Sequence, residues 1–161
     1  MRFLYDPLTN AHALAFGRII AAWNSLENVI DCAIEAHLDL PMQFDGLVTA
    51  LLEYPKKRDL FRVLAEASGS DKLFAPHVIE IERLNKTRNK VAHGVWVEGR
   101  KPGSIKPAGV KARGKIQVLG NEHNEEEWDA DKLNRAARDM VVEAEALENL
   151  LRDLGLDVHL T

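Results

Sequence analysis

The sequence predicts a mostly α fold, an up-and-down helical bundle with a small β-hairpin inserted between its last two long helices. Three observations point there. Apolar residues recur at helical spacing from Ala11 to Leu40 with no proline among them, and the same period returns from Trp128 to Leu154. Between these stretches, two short β-type runs flank a basic segment rich in glycine and proline.

The first helix follows the turn and cap chemistry of Asp6 to Asn10 and carries Leu14, Ile19, Trp23, Leu26, Ile30, Ile34 and Leu38. Phe16, Ile20, Ala22, Val29 and Ala33 widen its apolar surface beyond one stripe, so it is expected to pack on two sides. Pro41 ends it and suits the first turn of a second helix, roughly 43–53. Pro55 separates that helix from a third, Lys56 to Ala67, closed by Ser68-Gly69-Ser70. A fourth helix, about Ala75 to His93 with Pro76 in its first turn, should bury Val78, Ile81, Leu84 and Val91, and Gly94 reads as a left-handed stop.

Val95 to Glu98 reads as a short strand, with Lys115 to Leu119 as its partner across the basic loop; the insertion spans about 95–120. The last helix begins near Trp128-Asp129, with Glu125-Glu126-Glu127 placed to complement the positive end of its dipole. The whole of 1–161 is expected to form a single domain, long enough to bury a core without disulfides or a structural metal.

Hydrophobic residues at 46% and charged residues at 29% exclude general disorder. The lone cysteine, Cys32, sits in an apolar run, which points to a small core residue and to a reducing, cytoplasmic setting. The first residues lack the apolar core of a signal peptide, and no run approaches the ~20 apolar residues of a membrane span, so no membrane role is expected. The six histidines show no ligand spacing with the cysteine or with carboxylates, so neither a metal nor another cofactor is expected. His12, His37, His77, His123 and His159 read as surface or helix-end residues.

Net charge is −4, but its distribution is uneven. Gly99 to Lys115 holds six basic residues and no acid, whereas Glu122 to Asp131 holds six acids and no lysine or arginine. One local basic patch is therefore available to phosphate.

The chemistry concentrates in RNKVAHG, Arg88 to Gly94. At about 100° per residue, Arg88 shares the apolar side of its helix with Ile81, Leu84 and Val91, where an unpaired guanidinium is costly. His93, about 140° round from Arg88, stands at the helix end. Asn89, one turn before His93, is placed to orient an imidazole or a substrate oxygen. Glu27 and Asp31, one turn apart on the first helix, offer a carboxylate to Arg88, and Lys86 and Lys90 add cations at the same end.

This motif resembles the signature of HEPN domains, an arginine followed after four to six residues by a histidine, with a polar residue after the arginine. The long helix FGRIIAAWNSLENVID and the lead-in IERLNKTRN are similar to small bacterial HEPN proteins over the helical scaffold; the hairpin is less typical. The resemblance implies a metal-independent endoribonuclease, cytoplasmic, working as a homodimer with a composite cleft, in a toxin, antiphage or stress role. Arg88 would stabilise the scissile phosphate, His93 would move protons and Asn89 would orient the site, with Glu27 supporting Arg88.

RNA is then the expected substrate, with Lys86, Lys90, Trp96, Arg100 and Lys101 as candidate RNA contacts and Trp96 as a base-stacking side chain. An antitoxin protein is a further candidate partner. Val95 stands where HEPN toxins modified by a partner nucleotidyltransferase carry tyrosine, so the resemblance does not extend to that switch. The competing reading is a non-catalytic module that binds a nucleotide, RNA or protein, with Arg88 structural.

Overall fold

The computed structural model describes residues 8–41, 44, 46–113, 115–119 and 126–156, with backbone alone for 109–113 and 115–119. It is a mostly helical bundle with a small antiparallel β insertion between its last two long helices. The order is α1 (Asn10–Leu38), α2 (Leu47–Ala50), α3 (Tyr54–Ala67), α4 (Asp71–His93), β1 (Val95–Glu98), β2 (Ile105–Arg113), β3 (Lys115–Leu119) and α5 (Ala130–Asp153).

α1 is the central element and packs against all four other helices, which answers its two-sided apolar surface. Ala15, Ile19, Trp23, Leu26, Ile30 and Ile34 are buried along it, and α5 lays Leu133, Met140, Leu147 and Leu151 into the same core. Its start is fixed by a capping box. The Thr9 hydroxyl accepts from the His12 backbone N–H, and the His12 ring accepts from the Thr9 backbone N–H at 3.2 Å. His12 is thus a helix-end residue, but a buried one. At the other end Asp39 takes the left-handed conformation, φ 48°, and stops the helix.

The expected second helix contracts to the four residues of α2, because Gly46 enters it at φ 75°, outside helical space; residue 43 lies outside the described residues. The Glu35 carboxylate compensates by accepting from Gly46 N–H and Thr49 Oγ1, each at 2.7 Å, which pins this segment to α1. Pro55 falls within the first turn of α3 instead of separating two helices, since its missing N–H is unpaired there in any case.

α4 begins at Asp71, a turn earlier than expected, so Pro76 lies inside it. The extra turn buries Phe74 edge-on against Phe61, with ring centroids 5.0 Å apart, a gain that offsets the hydrogen bond the proline removes. Gly94 is extended, φ −77° and ψ 141°, not left-handed. Its need for glycine is close approach: a Cβ there would sit 2.2 Å from the Lys90 carbonyl oxygen.

β1 pairs with β2, not with β3 as the sequence suggested, and β2 continues into an antiparallel pairing with β3. In register, Trp96 faces Pro107 and Val110 faces Val118. Pro107 is tolerated because β2 has only β1 as a neighbour at that point. A bridge between Ile105 and Trp128, with both N–H···O contacts at 2.8 Å, ties the sheet to the entry of α5. Glu126 and Glu127 lie before that helix, which Asp129 caps by accepting from Lys132 N–H. Among the described residues no helix is long and apolar enough to cross a membrane.

Candidate functional site

Arg88 lies half-buried on the side of α4 that meets α1. Its guanidinium carbon stands 5.4 Å from the centroid of the Trp23 ring, and Nη1 donates to Asn89 Oδ1 at 2.9 Å. Among the described residues it pairs with no carboxylate. Most of the five N–H donors of this side chain therefore remain open to an anion.

Glu27 is committed elsewhere. It accepts from Trp23 Nε1 at 2.8 Å and from Lys57 Nζ at 3.1 Å, while Asp31 takes the same ammonium at 2.7 Å. The expected direct support of Arg88 by Glu27 is replaced by an indirect one: Glu27 fixes the indole edge, and the indole face meets Arg88. Tyr54 meets that indole edge to face, centroids 4.9 Å apart. Lys57 is nearly buried on α3, in line with Phe61 and Leu64, because the two carboxylates of α1 complete its charge. A lysine on an apolar stripe opposite an i, i+4 carboxylate pair was the sequence signal for this cluster.

Burial lowers the proton affinity of Lys57, but the bonds it donates to Asp31 and Glu27 outweigh that and hold the ammonium above its ordinary range. Burial pushes the Asp31 carboxyl up despite the Lys57 bond. The Tyr54 phenol is likewise pushed up by burial, and its hydroxyl has no hydrogen-bond partner among the described residues.

His93 is exposed at the last position of α4, where the close Gly94–Lys90 contact fixes how the chain leaves the helix. Asn89 is half-buried and spends its oxygen on Arg88, which leaves its amide nitrogen to meet other groups. Arg88, Asn89 and His93 thus share one helix end, Arg88 inward and His93 outward.

The candidate RNA contacts separate. Lys86 and Lys90 are exposed on α4, where Lys90 lies 5.4 Å over the Trp128 ring and 3.6 Å from Glu126. Arg100 and Lys101 sit in the exposed turn between β1 and β2, their backbone N–H groups donating to Glu127 at 3.0 and 3.2 Å. These bonds, first of all the one from Arg100, hold the Glu127 carboxyl below its ordinary range.

Trp96 is not available to stack a base. It is 8% exposed and packs between Phe16, 5.3 Å between centroids, and Trp128, 6.4 Å. The alternation of β1 turns this residue toward the core, because the sheet docks on the helices by that face. Of the rest of the basic stretch, Lys106 is half-buried on β2, whereas the side chains of Lys111, Arg113 and Lys115 lie outside the described residues, as does the whole of His123.

No protein-family model, no curated protein and no solved structure matches the chain.

Proposed function

We propose that the protein is a metal-independent endoribonuclease of the HEPN type, acting at a composite site formed when two copies bring their α4 ends together. The observation that carries this reading is Arg88: a half-buried guanidinium, braced by Trp23 and Asn89, with no carboxylate partner among the described residues. A cation fixed in place and left short of counter-charge is a phosphate-stabilising group in waiting.

In this reading Arg88 stabilises charge on the scissile phosphate. His93 takes the proton from the ribose 2′-hydroxyl as its oxygen attacks phosphorus, and a protonated His93 from the partner copy is available to protonate the departing 5′-oxygen. The nucleophile belongs to the substrate, so the products are a 2′,3′-cyclic phosphate and a 5′-hydroxyl. The setting is a cytoplasmic toxin, antiphage or stress-response system in which an antitoxin protein restrains the enzyme.

The test is incubation of the purified protein with mixed RNA in EDTA, with end-group analysis of the products. Fragments ending in cyclic phosphate support the reading; intact RNA at high enzyme concentration contradicts it.

A second reading rests on the same contact. The stack of Arg88 on Trp23 also supplies a structural reason for the arginine, as in a non-catalytic module that binds a nucleotide, RNA or protein. Under it Arg88→Ala lowers the melting temperature and no nuclease appears.

A further inference from the structure

A second set of cations lies on a different flank of α4. Between α4 and α5 runs a trough of about 430 Å³, walled by Arg83, Lys86 and Lys90 on one side and Lys132 and Arg135 on the other. Its floor includes the nearly buried Thr87 and Ala136. Around the axis of α4, Arg83 and Arg88 are about 140° apart, so the trough and Arg88 lie on different flanks of the helix.

We propose that this trough binds the phosphodiester backbone of a single-stranded nucleic acid. Five cations line it against two carboxylates, Glu126 and Asp139. The pairing is uneven. Arg83 is satisfied by Glu80 and Asp139 at 2.6 and 3.1 Å, and Lys90 and Lys132 share the single carboxylate of Glu126, at 3.6 and 2.7 Å. Lys86 and Arg135, both exposed, face one another's helices with no carboxylate partner among the described residues.

The indole of Trp128 adds order to this surplus. Lys132 lies 4.7 Å and Lys90 5.4 Å from its centroid, so two ammonium groups are held at the wall of the trough instead of trailing into solvent. The Lys132 bond holds the Glu126 carboxyl below its ordinary range, which keeps that carboxylate ionised into acid.

The shape favours a chain over a single phosphate. Arg83, Lys86 and Lys90 follow one another along α4 with rises of about 4.5 and 6 Å, a row instead of a closed cradle. His93 lies two turns beyond Lys86 and within about 20° of it around the axis, so a strand in the trough continues toward the exposed end of the helix. A row of surplus cations also gains from counterion release on a continuous polyanion, which scattered carboxylates of a peptide supply less strongly. A duplex is too wide for a space between two packed helices.

The proposal does not require catalysis, and the test separates the two. Binding is measured by fluorescence anisotropy with 5′-fluorescein-labelled dodecamers of uridylate and of thymidylate, on the full chain carrying Arg88→Ala and His93→Ala to prevent cleavage. Both strands are expected to bind, and adding Lys86→Glu with Arg135→Glu should weaken binding at least tenfold. The slope of log affinity against log salt should fall by about 1.4, two phosphate contacts at about 0.7 each. Circular dichroism checks folding, and Lys86→Gln with Arg135→Gln replaces the reversal pair if that pair is unfolded.

Unchanged affinity in the folded charge variants overturns the proposal. So does displacement of the dodecamer by uridine monophosphate at equal phosphate concentration, which would mark a mononucleotide site, or by polyglutamate at equal charge, which would mark an acidic-peptide site. Tight trough-dependent binding without cleavage by the wild-type chain keeps this inference and rejects the nuclease. Cleavage that survives Lys86→Glu with Arg135→Glu at unchanged KM keeps the nuclease and rejects the trough.

Discussion

The guanidinium of Arg88 lies over the indole face of Trp23, 5.4 Å from its centroid, and that contact couples Arg88 to the centre of the bundle. Trp23 is fully buried, its Nε1 is bonded to Glu27, and Glu27 is bonded to Lys57. The position of Arg88 is therefore set through three helices, α1, α3 and α4, and a disturbance of any one of them reaches the site.

Trp23 separates packing from positioning. Trp23→Ala should cost about 3–5 kcal/mol of stability in urea unfolding. Trp23→Phe retains a ring under Arg88 but strands the Glu27 oxygen, so it should lose less stability and keep more phosphate-dependent function than Trp23→Leu. Equal function in the Phe and Leu variants at matched stability would remove the indole from the account.

Lys57→Ala leaves Glu27 and Asp31 partly buried without their cation and should destabilise by about 3–5 kcal/mol near neutral pH. The pH dependence has a definite sign. Lys57 is raised in the folded state, so its contribution is complete below the unfolded value of 10.5 and is lost as pH rises through the folded one. Asp31 is raised from 3.8, so its ionisation on the acid side works against the fold, and the deficit of the Lys57→Ala protein should shrink as pH falls toward 4. Urea midpoints between pH 4 and 11 read both effects.

Gly94→Ala places a Cβ against the Lys90 carbonyl and 3.1 Å from Trp96 Nε1. Overpacking of this kind should cost about 1–3 kcal/mol and displace the end of α4 that carries His93. Thermal unfolding together with the histidine NMR signals of the variant checks this.

Trp96 should behave as a core residue. Trp96→Ala should lose about 3–5 kcal/mol. Trp96→Phe, which keeps an apolar ring against Phe16 and Trp128, should leave RNA affinity unchanged. A tenfold loss of RNA affinity in a stable Trp96→Phe protein would restore the stacking role that its burial argues against.

The long helices were legible in the sequence because their apolar period runs uninterrupted and few alternatives bury so many side chains, as Ile19, Trp23, Leu26 and Ile30 on α1 and Met140 and Leu147 on α5 illustrate. The middle of β2 was not: Pro107 and Gly109 read as loop, and only the open edge beside Pro107 makes the strand acceptable. Gly94 does end α4, but through a close approach and not a left-handed turn, and such an approach between backbone atoms leaves no trace in residue type beyond the glycine itself. The Arg88 motif was visible, but its partner was not. Helical geometry made Glu27 a candidate, and it could not reveal that Lys57 claims that carboxylate while Trp23 takes the arginine.

The most direct measurement is the rate of RNA cleavage in EDTA by wild-type, His93→Ala and Arg88→Ala proteins, each verified as folded and with the oligomeric state recorded. The account predicts cleavage to cyclic phosphate ends by the wild type, a loss of at least a hundredfold in each variant, and a melting temperature for His93→Ala within a few degrees of wild type because that residue is exposed. Cleavage by His93→Ala at the wild-type rate, or intact RNA with the wild-type protein, would contradict it.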